Sequence, residues 1–215
     1  MKYSAVVVAA GSGTRMGLGY NKVYAVLDDG RTVLERTLGI FMDDPDCVQV
    51  VVVCDAGEFR KHVFHDQPGK ITLASGGATR QESVANGLMA VVADTVMIHD
   101  GARPYLGADC LERLKKAMET EDGALLCVPC KDTVKHVEDG YVIETYERNT
   151  IMAAQTPQAF ATKIILECMI KSFAEGYACT DDSSLFERYG YKVKVVEGSY
   201  ANFKLTTPED LAKAA

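Results

Sequence analysis

No segment of this 215-residue sequence is apolar for long enough to cross a bilayer. Runs such as Val6 to Ala10 and Val50 to Cys54 are strand-length, against the ~18 residues a spanning helix needs. Positive charge is in deficit as well. The chain has 23 Lys and Arg against 30 Asp and Glu, a formal net charge of -7, which argues against non-specific binding to nucleic acid or to a membrane surface. An anionic ligand would therefore need its cations gathered locally. Repeats, low-complexity tracts and Pro/Ser-rich linkers are also missing, so residues 1–215 read as one domain. No small-residue cleavage site follows Met1-Lys2-Tyr3, which reads as no secretory leader. The seven cysteines are odd in number and scattered, mostly within apolar stretches, which suits a reducing cytoplasm. Cys127-Val-Pro-Cys130 has no second close pair to complete a zinc site and reads as two buried thiols near a strand end.

What the sequence has is an alternation of short buried strands and amphipathic helices. Strand-like runs fall at Tyr3–Ala9, Val48–Cys54, Ile71–Ala74, Thr95–His99, Ala124–Pro129 and Lys192–Glu197. Helical patterns fall at Thr32–Asp43, Thr79–Ala93, Ala108–Thr120, Thr162–Glu175, Asp182–Tyr189 and from Pro208 onward, the last with Thr207 as N-cap. Continuous apolar strands separated by helices predict an α/β, Rossmann-like, mostly parallel twisted sheet with helices on both faces. One segment departs from this rhythm. Thr133–Val137 and Tyr141–Tyr146 flank Glu138-Asp139-Gly140, a hairpin signal. It is too polar for core, and by composition it is either a solvated flap or an arm that reaches a partner.

The first strand runs into Ala9-Ala10-Gly11-Ser12-Gly13-Thr14-Arg15-Met16-Gly17. Glycines after a parallel strand let backbone N–H groups approach phosphate oxygens. The dinucleotide fingerprint fails by one residue at its third glycine, and no Gly-Lys-Ser/Thr completes a P-loop. Arg15 and Lys22, two cations on one glycine-rich loop, suit a triphosphate: a planar fork and a point charge. Gly76-Gly77-Ala78-Thr79-Arg80-Gln81-Glu82-Ser83 reads as a glycine turn feeding a helix, with Thr79 and Glu82 as a capping box. In Ile98-His99-Asp100-Gly101-Ala102-Arg103-Pro104, Asp100 falls just past a strand's carboxyl end, where open α/β sheets bind ligands. There it could hold magnesium or form a local ion pair with Arg103. Farther on come Lys131-Asp132-Thr133, Arg148-Asn149, Gln155-Thr156-Pro157-Gln158, Thr180-Asp181-Asp182 and Ala201-Asn202-Phe203-Lys204-Leu205.

These blocks, in this order, resemble the nucleotidyltransferases that activate sugars and polyols, and are most similar to the 2-C-methyl-D-erythritol 4-phosphate cytidylyltransferases of non-mevalonate isoprenoid synthesis. The resemblance covers essentially the whole chain. It implies that Arg15, Lys22 and Lys204 are catalytic and stabilise charge on the phosphates. It implies a nucleotide site built from Ala9, Ala10, Gly11, Ser12, Gly13, Gly76, Gly77, Arg80 and Ser83. It implies that Asp100 binds Mg2+ and substrate, and that Arg103, Thr133, Arg148 and Thr156 complete the acceptor site. Arg103 would also support a dimer, and His99 would be structural. Residues about 131–150 would form a homodimerisation arm, and the ligands would be CTP and a small polyol phosphate, with no nucleic acid and no membrane. The chain departs from the family's Pro-Lys-Gln at Asn21-Lys22-Val23, which bears on the stiffness of that loop. Alternative readings are a ribitol-5-phosphate cytidylyltransferase, a nicotinamide-dependent dehydrogenase, disfavoured by the glycine spacing, and a non-catalytic nucleotide-binding homologue.

Overall fold

The structure, a computed structural model, describes residues 1–11, 20–63 and 69–214. Valine-rich segments form the centre of the sheet, because branched side chains pack well on a pleated surface buried on both sides. These are β1 (Tyr3–Val8) and β2 (Cys47–Val53). β3 (Ile71–Ala74) pairs parallel with β2, and β4 (Thr95–Asp100) pairs parallel with β1 on its other side. The chain thus builds outward in one direction through β2 and β3, then returns to the opposite edge of β1. The reversal creates a crevice beyond the carboxyl ends of β1 and β4, the place where such sheets bind ligands.

Seven strands follow the order β3-β2-β1-β4-β8-β5-β9. β5 is Gly123–Pro129, β8 is Met152–Ala161 and β9 is Lys194–Glu197. β8 runs antiparallel between β4 and β5 and is the one interior strand the sequence pattern did not show. A separate antiparallel hairpin is formed by β6 (Lys135–Glu138) and β7 (Tyr141–Thr145), two residues shorter at its start than the sequence predicts.

Alternate residues of β1 enter opposite cores. Tyr3, Ala5 and Val7 meet α1 (Val33–Met42), α2 (Ala56–His62) and α4 (Ala108–Ala117), through Leu38, Phe41, Phe59 and Leu114. Val6 faces α3 (Arg80–Leu88), α5 (Thr162–Ala174) and α6 (Ser183–Arg188), through Val84, Leu88, Ile165, Met169 and Phe186. The helices begin where their caps dictate. Thr32 with Glu35, and Thr79 with Glu82, form reciprocal capping boxes that satisfy otherwise orphaned N–H groups. α7 (Pro208–Ala214) closes the described chain. Among the described residues no helix is long and apolar enough to cross a membrane.

Candidate active site

β1 remains in register as far as Ala9, whose N–H donates to Val53 O at 2.8 Å. Ala10 and Gly11 then leave the sheet, and the three residues form one wall of a cleft of about 470 Å³. Ser12, Gly13 and Arg15 lie outside the described residues. Beyond them Asn21 opens a single 3-10 turn, Lys22–Tyr24, in which Val23 and Tyr24 are buried while Lys22 lines the cleft.

The opposite wall is the glycine turn before α3. A Cβ on Gly76 would run into Ala10 Cβ, and one on Gly77 into Glu82 Cβ. Only glycine therefore lets this turn approach both the β1 loop and the first turn of α3. Ser83 fixes the turn from inside: its hydroxyl donates to Thr79 O at 2.9 Å and accepts from Gly77 N at 3.0 Å.

Asp100, the last residue of β4, forms the floor. Its carboxylate lies 2.9 Å from Lys204 Nζ and 3.5 Å from both Arg80 Nε and Arg103 Nε. Burial works against its charge, but Arg80, Lys204 and Arg103 outweigh burial and hold the carboxyl well below the usual range. Asp100 is therefore an anion inside a cationic frame. Both options the sequence left open share this residue: a local pair with Arg103 exists, and the carboxylate also faces the cleft. Arg103 also makes a contact within its own chain. Its Nη1 donates to Asn202 O at 2.7 Å, which ties the loop carrying Lys204 to the end of β4. Leu205 N donates to Ala102 O at 2.9 Å and completes that tie. Lys204 sits in irregular chain between β9 and α7.

Beneath the floor the proton positions follow from the partners. Arg103 O, 3.1 Å from His99 Nε2, can only accept, which puts the neutral ring's proton on Nε2. Nδ1 then accepts from the Thr156 hydroxyl, 3.1 Å away, whose oxygen accepts from Asp100 N at 3.0 Å. Complete burial lowers the His99 pKa to about 4. His99 and Thr156 thus support Asp100 from below rather than facing the cleft. Thr133 and Arg148 are exposed at the base of the hairpin, where Arg148 Nη1 donates to Lys131 O at 3.2 Å, and neither lines the cleft.

A glycine loop and a caged carboxylate at a sheet reversal are shared by many nucleotide enzymes, and comparison with known proteins narrows the choice. The sequence model of the IspD family, 2-C-methyl-D-erythritol 4-phosphate cytidylyltransferase, matches residues 3–215. The chain belongs to this family. Enzymes of that name from Halalkalibacterium halodurans and Geotalea uraniireducens are each 44% identical to it; the matches cover 98% and 100% of this chain and 94% and 95% of theirs. The crystal structure of the Francisella tularensis IspD superposes with a TM-score of 0.87 at 30% identity, covering 100% of this chain and 98% of that one. The 4-diphosphocytidyl-2C-methyl-D-erythritol synthase of Anaerococcus prevotii gives 0.87 at 34% identity, over 99% and 96%.

Two residues of this IspD-family site escaped sequence reasoning. Asp182, fully buried, receives both Arg80 Nη1 at 3.0 Å and Nη2 at 2.8 Å, and so turns Nε of Arg80 towards Asp100. Asn21 ties the turn that carries Lys22 to Ala9 O through its side-chain amide. The Thr180-Asp181-Asp182 block was a visible signal, but its partner lies 102 residues away.

A divalent metal was also expected here. Among the described residues no three His, Cys, Asp or Glu side chains cluster as a metal cage. Among the described residues, Asp100 alone offers a carboxylate to the cleft. That donor set fits magnesium, which binds through one or two carboxylates and completes its shell with phosphate oxygens and water. It does not fit a metal held by protein alone.

Proposed function

We propose that the chain transfers the cytidylyl group of CTP to 2-C-methyl-D-erythritol 4-phosphate, giving 4-diphosphocytidyl-2-C-methyl-D-erythritol and pyrophosphate in non-mevalonate isoprenoid biosynthesis. The observation that carries this reading is that Lys22 lines the same cleft in which Arg80 and Lys204 meet Asp100, in a chain of the IspD family.

An oxygen of the acceptor's phosphate attacks the α-phosphorus of CTP. The new P–O bond forms as the bond to the bridging oxygen of the β-phosphate breaks, and pyrophosphate leaves with that electron pair. The attacking oxygen is already ionised, so no general base is needed; the buried, neutral His99 is consistent with this. What the protein supplies is position and charge. Lys22 and Lys204, together with Arg15, offset negative charge on the α-phosphate and leaving group. The cleft wall formed by Ala9–Gly11 and Gly77 would receive the flat pyrimidine, with Gly76 packed on Ala10 behind it and Ser83 fixing the turn. Asp100 would hold Mg2+, which would supply positive charge to offset that of the phosphates.

The hairpin supports a homodimer. Val137, Tyr141, Val142 and Ile143 are all exposed on a two-stranded arm, which is marginal unless another surface covers it. Thr133 and Arg148 would bind the acceptor's phosphate, partly across that interface, in a cytoplasmic enzyme; Thr156, buried beneath Asp100, would support that carboxylate instead.

The test is product identity. Purified protein with CTP and Mg2+ is expected to yield the diphosphocytidyl product from 2-C-methyl-D-erythritol 4-phosphate and none from ribitol 5-phosphate. Product from ribitol 5-phosphate alone would reassign the acceptor. Product from neither would contradict the reaction.

A further inference from the structure

We infer that Asn21 is a positioning residue for Lys22, doing through its side-chain amide what a stiffer backbone would otherwise do. The inference rests on the reaction proposed above.

The amide uses both of its ends. Asn21 Nδ2 donates to Ala9 O at 2.6 Å, at the point where β1 ends and the phosphate-side wall begins. Its Oδ1 accepts from Val23 N at 3.3 Å and so caps the 3-10 turn that carries Lys22. The backbone closes the same turn, with Tyr24 N donating to Asn21 O at 3.0 Å and Ala25 N to Lys22 O at 3.1 Å.

On the far side the chain is anchored by packing. Val23 and Tyr24 are buried, and the Tyr24 ring stacks on His62 with centroids 4.9 Å apart. Lys22 is therefore the single residue between a buried anchor and the amide clip to β1. Its main-chain position relative to Ala9 is set by that clip. A lysine is a long flexible point charge, so its reach to a phosphate depends on where its backbone is held. Loss of the clip frees the near end of the turn and leaves the far end packed. Such a change misplaces a charge without unfolding the domain.

Asn21 itself has φ -68° and ψ 123°, and that φ is the value a proline ring imposes. Proline at this position would restore stiffness by covalent means while removing both amide hydrogen bonds. Two variants therefore separate the clip from the fold.

The experiment compares steady-state pyrophosphate release by wild type, N21A, N21P, K22A and the N21A/K22A double variant, with thermal melts run in parallel. N21A is expected to lower kcat by about tenfold to a hundredfold, the scale of a small misplacement of a catalytic group. Acceptor KM should be little changed, and N21P should recover most of the loss. In the K22A background, the same N21A change should alter the residual rate by less than about twofold, because the group it positions is already gone. A wild-type kcat in N21A, a failure of N21P to recover, or a loss that persists in full without Lys22 would each overturn the inference while the reaction stood. An inactive wild type would overturn the reaction and this inference with it.

Discussion

Lys204 Nζ lies 2.9 Å from Oδ2 of Asp100, so the carboxylate at the end of β4 is held by a lysine from the segment that precedes the last helix. The contact joins the switch point of the sheet to the C-terminal loop. It places a cation and its counter-ion on the same cleft wall, ready to be re-paired when a triphosphate brings its own charge.

Lys204→Ala should lower kcat by about 10²- to 10³-fold, the usual cost of removing one preorganised charge stabiliser. Lys22→Ala should lower it by several orders of magnitude. In both, the melting temperature should stay near that of wild type, since neither side chain is core. The check is initial-rate kinetics alongside a thermal melt. Near-normal turnover in Lys22→Ala would remove that residue from the mechanism.

His99 makes stability fall with acid. Its folded pKa, about 4, lies below the unfolded value of about 6.5. Between those values the unfolded chain binds the extra proton, so stability rises with pH across the window. The contribution is complete above about pH 6.5 and fades as pH falls towards about 4, on the order of a few kcal/mol in all. Asp100 does not share that window. Its folded pKa is depressed, so its contribution is full above the unfolded value of about 3.9 and is lost only at lower pH. Urea melts at a series of pH values should therefore steepen below pH 6.5 in wild type and flatten in His99→Gln.

Asp182 is the buried counter-ion of Arg80. Asp182→Ala leaves the guanidinium half-buried with only the more distant Asp100, and breaking such a pair costs about 3–5 kcal/mol. At about 2–4 °C per kcal/mol for a domain of this size, the melting temperature should drop by roughly 10 °C. Catalysis should fall as well, because Nε of Arg80 loses its direction. A melt within a degree or two of wild type would show that the pair carries no net stability.

Gly77→Ala tests the close fit of the glycine turn against α3. The new Cβ would meet Glu82 Cβ and approach the Glu82 carbonyl carbon at 3.0 Å, so the turn must move away from α3 and into the cleft. The KM for CTP should rise about tenfold or more, with a smaller effect on acceptor KM. Isothermal titration with CTP would read the same loss directly.

Much of this was legible in the sequence. The strand centres at Val6, Val51 and Ile98, and the helix starts at Thr32 and Thr79, stand out because buried β-branched runs and capping boxes are local signals. β8 was not legible. Met152–Ala161 has a proline in its middle and few β-branched residues, and its burial comes from lying between β4 and β5. α2 was missed because it is a seven-residue helix with a glycine in its first turn. Asp100, Lys204 and Arg80 were nameable from their motifs. Their mutual geometry depends on tertiary contacts across the whole chain, as does the bond by which Arg103 ties the loop carrying Lys204 to the end of β4.

The most direct test of the central claim uses acceptor labelled with 18O on its phosphate, turned over with CTP and Mg2+. Attack by that phosphate on the α-phosphorus predicts that all the label stays in the diphosphocytidyl product and none enters pyrophosphate, with no pyrophosphate formed when acceptor is omitted. Labelled pyrophosphate, or release that does not depend on the acceptor, would contradict it.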